Sequence, residues 1–147
     1  MLTTLHILLN SESNGTNAPV FPTEFLGGSA PRLQIILFRG IPFPALPTLL
    51  LSTSDLRTVN LRSIPPTGYI SPEAMVVGLA ALPRLEVFDL KFQSVTPCPD
   101  RIHSPVTRTV LPALSYFQFK GASEYLEDLV ARIDAPQLNR IYIYYLN

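Results

Sequence analysis

Apolar residues recur along this chain in a fixed short phrase: a leucine, then two further apolar residues three and five places later. The phrase occurs at Leu2/Leu5/Ile7, Leu33/Ile36/Phe38, Leu56/Val59/Leu61, Leu85/Phe88/Leu90, Leu114/Phe117/Phe119 and Leu138/Ile141/Ile143. Its last two apolar places flank a variable one, which is the period of a half-buried strand whose side chains alternate between faces. Six strands are therefore predicted, with short helices between them. Ser71-Pro72-Glu73 reads as a helix start, with a capping hydroxyl, proline at the first helical place and an acid near the positive end of the dipole. Ser123, followed by Glu124, Glu127 and Asp128, predicts a second start. On that helix Tyr125, Leu129 and Ile133 would share one face with Leu126 and Val130, and Arg132 would sit near the C-terminal end. Shorter helical turns are expected over 22–26, closed by Gly27-Gly28, and over 47–51.

Successive phrases start 31, 23, 29, 29 and 24 residues apart, centred on the range of about 20 to 29 residues that marks leucine-rich repeats. Four share one punctuation: Ala30-Pro31-Arg32-Leu33, Leu82-Pro83-Arg84-Leu85, Leu111-Pro112-Ala113-Leu114 and Ala135-Pro136-Gln137-Leu138. Proline lacks the N–H that would continue a helix and biases its predecessor toward extended geometry, so each one stops an element and launches a strand. The expected fold class is α/β: a leucine-rich-repeat solenoid of about six irregular repeats, a right-handed β-α superhelix with a parallel sheet on the concave face and short helices on the convex side. Residues 1–147 would form one domain, with 94–109 as a proline-rich, basic loop insertion on one rim. The rival is an ordinary α/β domain whose buried strands look alike.

The stretches SAPRLQIILFRGIPFPALPTLLLSTSDL, PTGYISPEAMVVGLAALPRLEVFDLKFQS and LPALSYFQFKGASEYLEDLVARIDAPQLNRI resemble the irregular leucine-rich-repeat region of fungal F-box-type proteins, and the resemblance spans nearly the whole chain. It implies the recognition arm of a ubiquitin-ligase adaptor, in which an F-box ahead of the repeats holds a Skp-type adaptor and the repeats choose the protein substrate. Here Met1 is followed at once by a repeat strand. A Skp-type partner is thus expected only through an F-box outside this chain, which reads as a fragment of a longer solenoid.

Composition narrows the classes further. The 11 Lys and Arg balance the 11 Asp and Glu, so no overall field recruits nucleic acid or an acidic membrane, and neither is expected as a partner. The single cysteine, Cys98, excludes an internal disulfide and a multi-thiolate zinc site, and fits a cytoplasmic or nuclear setting. The opening MLTTLHILLN lacks the basic residues and cleavage signature of a secretory leader. Asn14-Gly15-Thr16 then reads as a turn, and the apolar run from Ala74 to Leu82 is too short to cross a bilayer. Cys98 and His103 share a proline-rich loop and could form a thiol-imidazole pair, but a flexible loop would not hold them in register. With only His6 and His103, and no glycine fingerprint for phosphates, no enzyme, metal or cofactor is expected.

Binding is instead assigned to the outward strand positions. His6, Leu37, Asn60, Asp89, Gln118 and Tyr142 occupy the place between the last two apolar residues, and Leu8, Arg39, Arg62, Lys91, Lys120 and Tyr144 the next outward one. Four consecutive cations in one column should accumulate only if an acidic or phosphorylated partner, or an intramolecular acid such as Asp89, answers them. Arg39, Arg62, Lys91, Lys120, Asn60, Asp89, Gln118, Tyr142 and Tyr144 are the candidate partner-binding residues. Solubilising charge at strand ends is the bland account of the same column. For Tyr142, Tyr144 and Tyr145 the alternatives are a contact surface or an inner surface normally covered by more chain. The overall expectation is a protein-interaction module, the alternative a truncated repeat fragment with no independent activity.

Overall fold

A computed structural model describes residues 3–8, 32–40, 50, 53–66, 69–94 and 108–146. Its strands are β1 (Thr4–Leu8), β2 (Ile35–Arg39), β3 (Thr58–Ile64), β4 (Val87–Phe92), β5 (Thr109–Val110), β6 (Tyr116–Gly121), β7 (Ile133–Asp134) and β8 (Arg140–Tyr145). Two helices are present among the described residues, α1 (Pro72–Ala80) and α2 (Ser123–Val130). All six phrases are strands, and they form one six-stranded sheet in the order β1-β2-β3-β4-β6-β8. Every pairing in it is parallel. The chain is therefore an α/β protein whose large sheet keeps its strands in the order of the sequence. The short parallel pair β5 and β7 has no counterpart among the six phrases.

One device is repeated at the start of the strands. The carbonyls of Thr3, Gln34, Arg57, Glu86 and Ser115 each accept from two consecutive N–H groups of the next strand: Gln34 and Ile35, Arg57 and Thr58, Glu86 and Val87, Ser115 and Tyr116, Asn139 and Arg140. Equivalent residues thus sit side by side down the sheet. Four-residue turns precede these points, closed by N–H donation from Leu56 to Thr53, Leu85 to Leu82, Leu114 to Leu111 and Leu138 to Ala135. Pro83, Pro112 and Pro136 occupy the second place of such a turn, where a fixed φ is pre-organised. The recurring prolines therefore shape the turn that aims the strand. Pro31 lies outside the described residues.

The inward residues Ile36, Phe38, Val59, Leu61, Phe88, Leu90, Phe117 and Phe119 are buried, and the phrase-opening Leu33, Leu56, Leu85 and Leu114 are buried beside them. Phe88 and Phe117, paired in the register, stack at 5.5 Å and 14°, a contact worth about 0.5 to 1.5 kcal/mol beyond the area it buries. Met75, Val76 and Leu79 of α1 and Tyr125, Leu126 and Leu129 of α2 complete the core on this face. Gly121 is required where β6 ends, because a Cβ there would lie 2.8 Å from Phe119 Cζ and 2.9 Å from Phe92 Cδ2.

Ser71 caps α1 as its sequence predicts, its Oγ accepting from the Ala74 N–H at 3.2 Å with Pro72 at the first helical place. The second helix departs from expectation. Ala122 is its N-cap and no side chain caps it, while the Ser123 hydroxyl lies 3.3 Å from Glu124 Oε2. Ile133 belongs to β7 rather than to the helical face, and Val130 is exposed. Arg132 stands beyond the helix end and pairs with Glu73 of α1 at 3.4 Å. The turn expected over 22–26 and most of that over 47–51 lie outside the described residues, although Leu50 is helical and buried. Cys98, His103 and most of 94–109 also lie outside them.

Candidate functional site

The core claims one face of the sheet and leaves the other to the outward positions. There the register places His6, Leu37, Asn60, Asp89, Gln118 and Tyr142 in one row, each beside the next. In the adjacent row Leu8 lies beside Arg39, Arg39 beside Arg62, Lys91 beside Lys120 and Lys120 beside Tyr144. The structure thus brings all nine candidate residues to one face.

Between Arg62 and Lys91 the row is irregular. The register of β3 against β4 shifts between Leu61 and Ile64, and Ser63 takes a φ of 52°. This is a bulge: an extra residue on β3 bends the strand and re-aims its neighbours. Arg62 turns back over the first row, donating from Nε to Asn60 Oδ1 at 2.9 Å and placing Nη2 3.5 Å from Asp89 Oδ2. Lys91 Nζ approaches the same oxygen at 3.6 Å.

Asp89 is only 3% exposed although it points away from the core. Its burial raises its pKa above the usual 3.8, outweighing the Lys91 and Arg62 charges that pull it down. Its Oδ1 is buried with no hydrogen-bond partner among the described residues. The two middle cations are therefore held by an intramolecular carboxylate, whereas Arg39 and Lys120, at the ends of the row, have no ion-pair partner among the described residues. The continuous ladder of four like charges becomes two outer cations around a centre in which one carboxylate is shared by two cations.

Toward β8 the face turns aromatic. Tyr116 donates to Gln118 Oε1 at 2.8 Å, and its ring lies 5.7 Å from that of Tyr142. Tyr116 and Arg140 belong to a third outward row, which the phrase alignment did not include although period two puts them on this face. The bulge at Ser63 had no comparable signal, since serine carries no preference for positive φ. At the sheet's edge β8 is exposed along its whole length, inward-facing Ile141 and Ile143 included. Ile141 borders an apolar groove of about 130 Å³ with Leu114, Phe117, Val130, Ile133, Ala135 and Leu138.

Among the described residues no group of three His, Cys, Asp or Glu side chains is placed to hold a metal ion, and no helix is long and apolar enough to cross a membrane. Comparison of the chain with protein-family models, with curated proteins and with solved structures returns no match.

Proposed function

We propose that this protein is an interaction module of leucine-rich-repeat type, which binds an acidic or phosphorylated protein segment on the outward face of its sheet. The observation that carries the reading is the row from Arg39 to Lys120. Four cations on four neighbouring strands, two of them paired with one carboxylate, leave three net positive charges along this row of the face the core does not use. The solenoid reading draws support from the sequential parallel order and from the recurring turn and double acceptor at each strand start. The resemblance to the repeat region of fungal F-box-type proteins adds a biological setting, substrate recognition for a ubiquitin-ligase adaptor, with a Skp-type partner reached through an F-box outside this chain.

Changing Arg39, Arg62, Lys91 and Lys120 together to Glu tests the binding mode. On an array of acidic, phosphorylated and basic peptides, the protein is expected to retain acidic or phosphorylated spots and the variant to lose them while keeping its circular dichroism spectrum. Retention by the folded variant, or equal retention of basic peptides, would refute the reading. The adaptor setting is tested by the intact mass of the native gene product: a heavier protein with an F-box upstream supports it, and a mass near 16.3 kDa removes it. A second reading, a structural repeat segment with no ligand of its own, is favoured by the exposure of Ile141 and Ile143 at the sheet edge.

A further inference from the structure

The outward face has a spacing as well as a sign. Arg39 and Lys120 stand on β2 and β6, with β3 and β4 between them. Neighbouring strands lie about 4.8 Å apart, so the two cations are three strand spacings, or about 14 Å, from one another. An extended chain advances about 3.4 Å per residue and returns its side chains to the same side every second residue. Residues four apart in an extended segment laid across the strands therefore span about 14 Å and both point down at the sheet. The residue midway between them also points down, onto the centre of the row, where Asp89 already holds Arg62 and Lys91.

Resting on the binding mode proposed above, we infer that the site takes an extended peptide segment with two carboxylate side chains four residues apart, one at Arg39 and one at Lys120. Carboxylates fit better than phosphates. A phosphate carries close to two charges and three acceptor oxygens and calls for several converging donors, whereas each outer point offers one cation with no second one free beside it. The middle position contributes less than the outer two: Arg62 and Lys91 share the Asp89 carboxylate, so a third carboxylate there meets cations that are already partly neutralised.

The test uses capped serine-glycine peptides, titrated at low ionic strength and followed by NMR shifts of the protein's amides. One peptide carries two glutamates four residues apart, a second carries them two apart, and a third carries three glutamates at every second place. The first is expected to bind about fivefold more tightly than the second, the upper end for one additional exposed ion pair. The third should gain less over the first than the first gains over the second, because its extra carboxylate meets cations that Asp89 already holds. Arg39→Gln and Lys120→Gln should each erase the preference for the wider spacing. Asp89→Asn should release Arg62 and Lys91, so that the third peptide then binds about fivefold more tightly than the first. Equal binding of the first two peptides, lost in the fourfold Glu variant, would overturn the spacing while leaving the acidic preference in place. Failure of every acidic peptide to bind would overturn both. A phosphoserine version of the second peptide that outbinds the first would overturn the choice of carboxylate.

Discussion

Asp89 is the residue at which stability and binding oppose one another. A carboxylate taken out of water is costly even beside two cations, and the upward displacement of its pKa records that burial outweighs the attraction of Lys91 and Arg62. An acid whose folded pKa is raised holds its proton more tightly folded than unfolded. Its neutral form therefore favours folding below the unfolded value near 3.8, and this contribution is lost as pH rises through the folded value. Asp89→Asn keeps the shape and removes the charge, so it should melt at a higher temperature than the parent at pH 7. The gap should close on acidification toward pH 3, where both side chains are neutral. Paired thermal melts across that range check this, and a parent that melts higher than the variant at pH 7 would show that the ion pairs prevail. Asp89 itself was recognisable in the sequence as the one acid in the row beside the basic column. Its burial was not, because that depends on Arg62 folding back over it from a bulge that no residue type announces.

Among the elements, α1 and α2 differ in how their first turns are satisfied. Ser71 supplies the capping oxygen for α1, and its loss in Ser71→Ala should cost about 1 kcal/mol, read from chemical denaturation as a lower midpoint with an unchanged slope. Ser123→Ala removes no cap and should move the midpoint by less than half as much. The sequence announced both helices, but the second hydroxyl was placed one position too early because acids following a serine suit the first helical turn as well as the cap. Strands were more legible than helices. The inward face is set by period two, and the six phrases state it directly, whereas the division between α2 and β7 turns on Ile133, whose apolar side chain suits either element. The prolines act as turn residues rather than only as stops, a distinction that rests on which carbonyl the following leucine reaches.

At the scale of the molecule, the repeat of the phrase was enough to predict one parallel sheet with strands in sequential order, because a strand, a crossover and a parallel strand, repeated, lay each new strand beside the last. What the repeat could not reveal was the split of the outward row into a bridged centre and two outer cations, since that lies between side chains rather than along the chain. The same sequential order has a consequence for motion. Each strand of the large sheet is bonded only to its neighbours on either side, so opening should start at β1 and β8, which have one neighbour each, and reach β3 and β4 last. Hydrogen exchange should accordingly slow from either end toward the amides of Val59, Phe88 and Phe117, and uniform protection across the sheet would contradict this. A bound segment touching β2 and β6 together would act as a brace across four strands, slowing exchange in residues it never contacts and making the fraying of the sheet a reporter of occupancy.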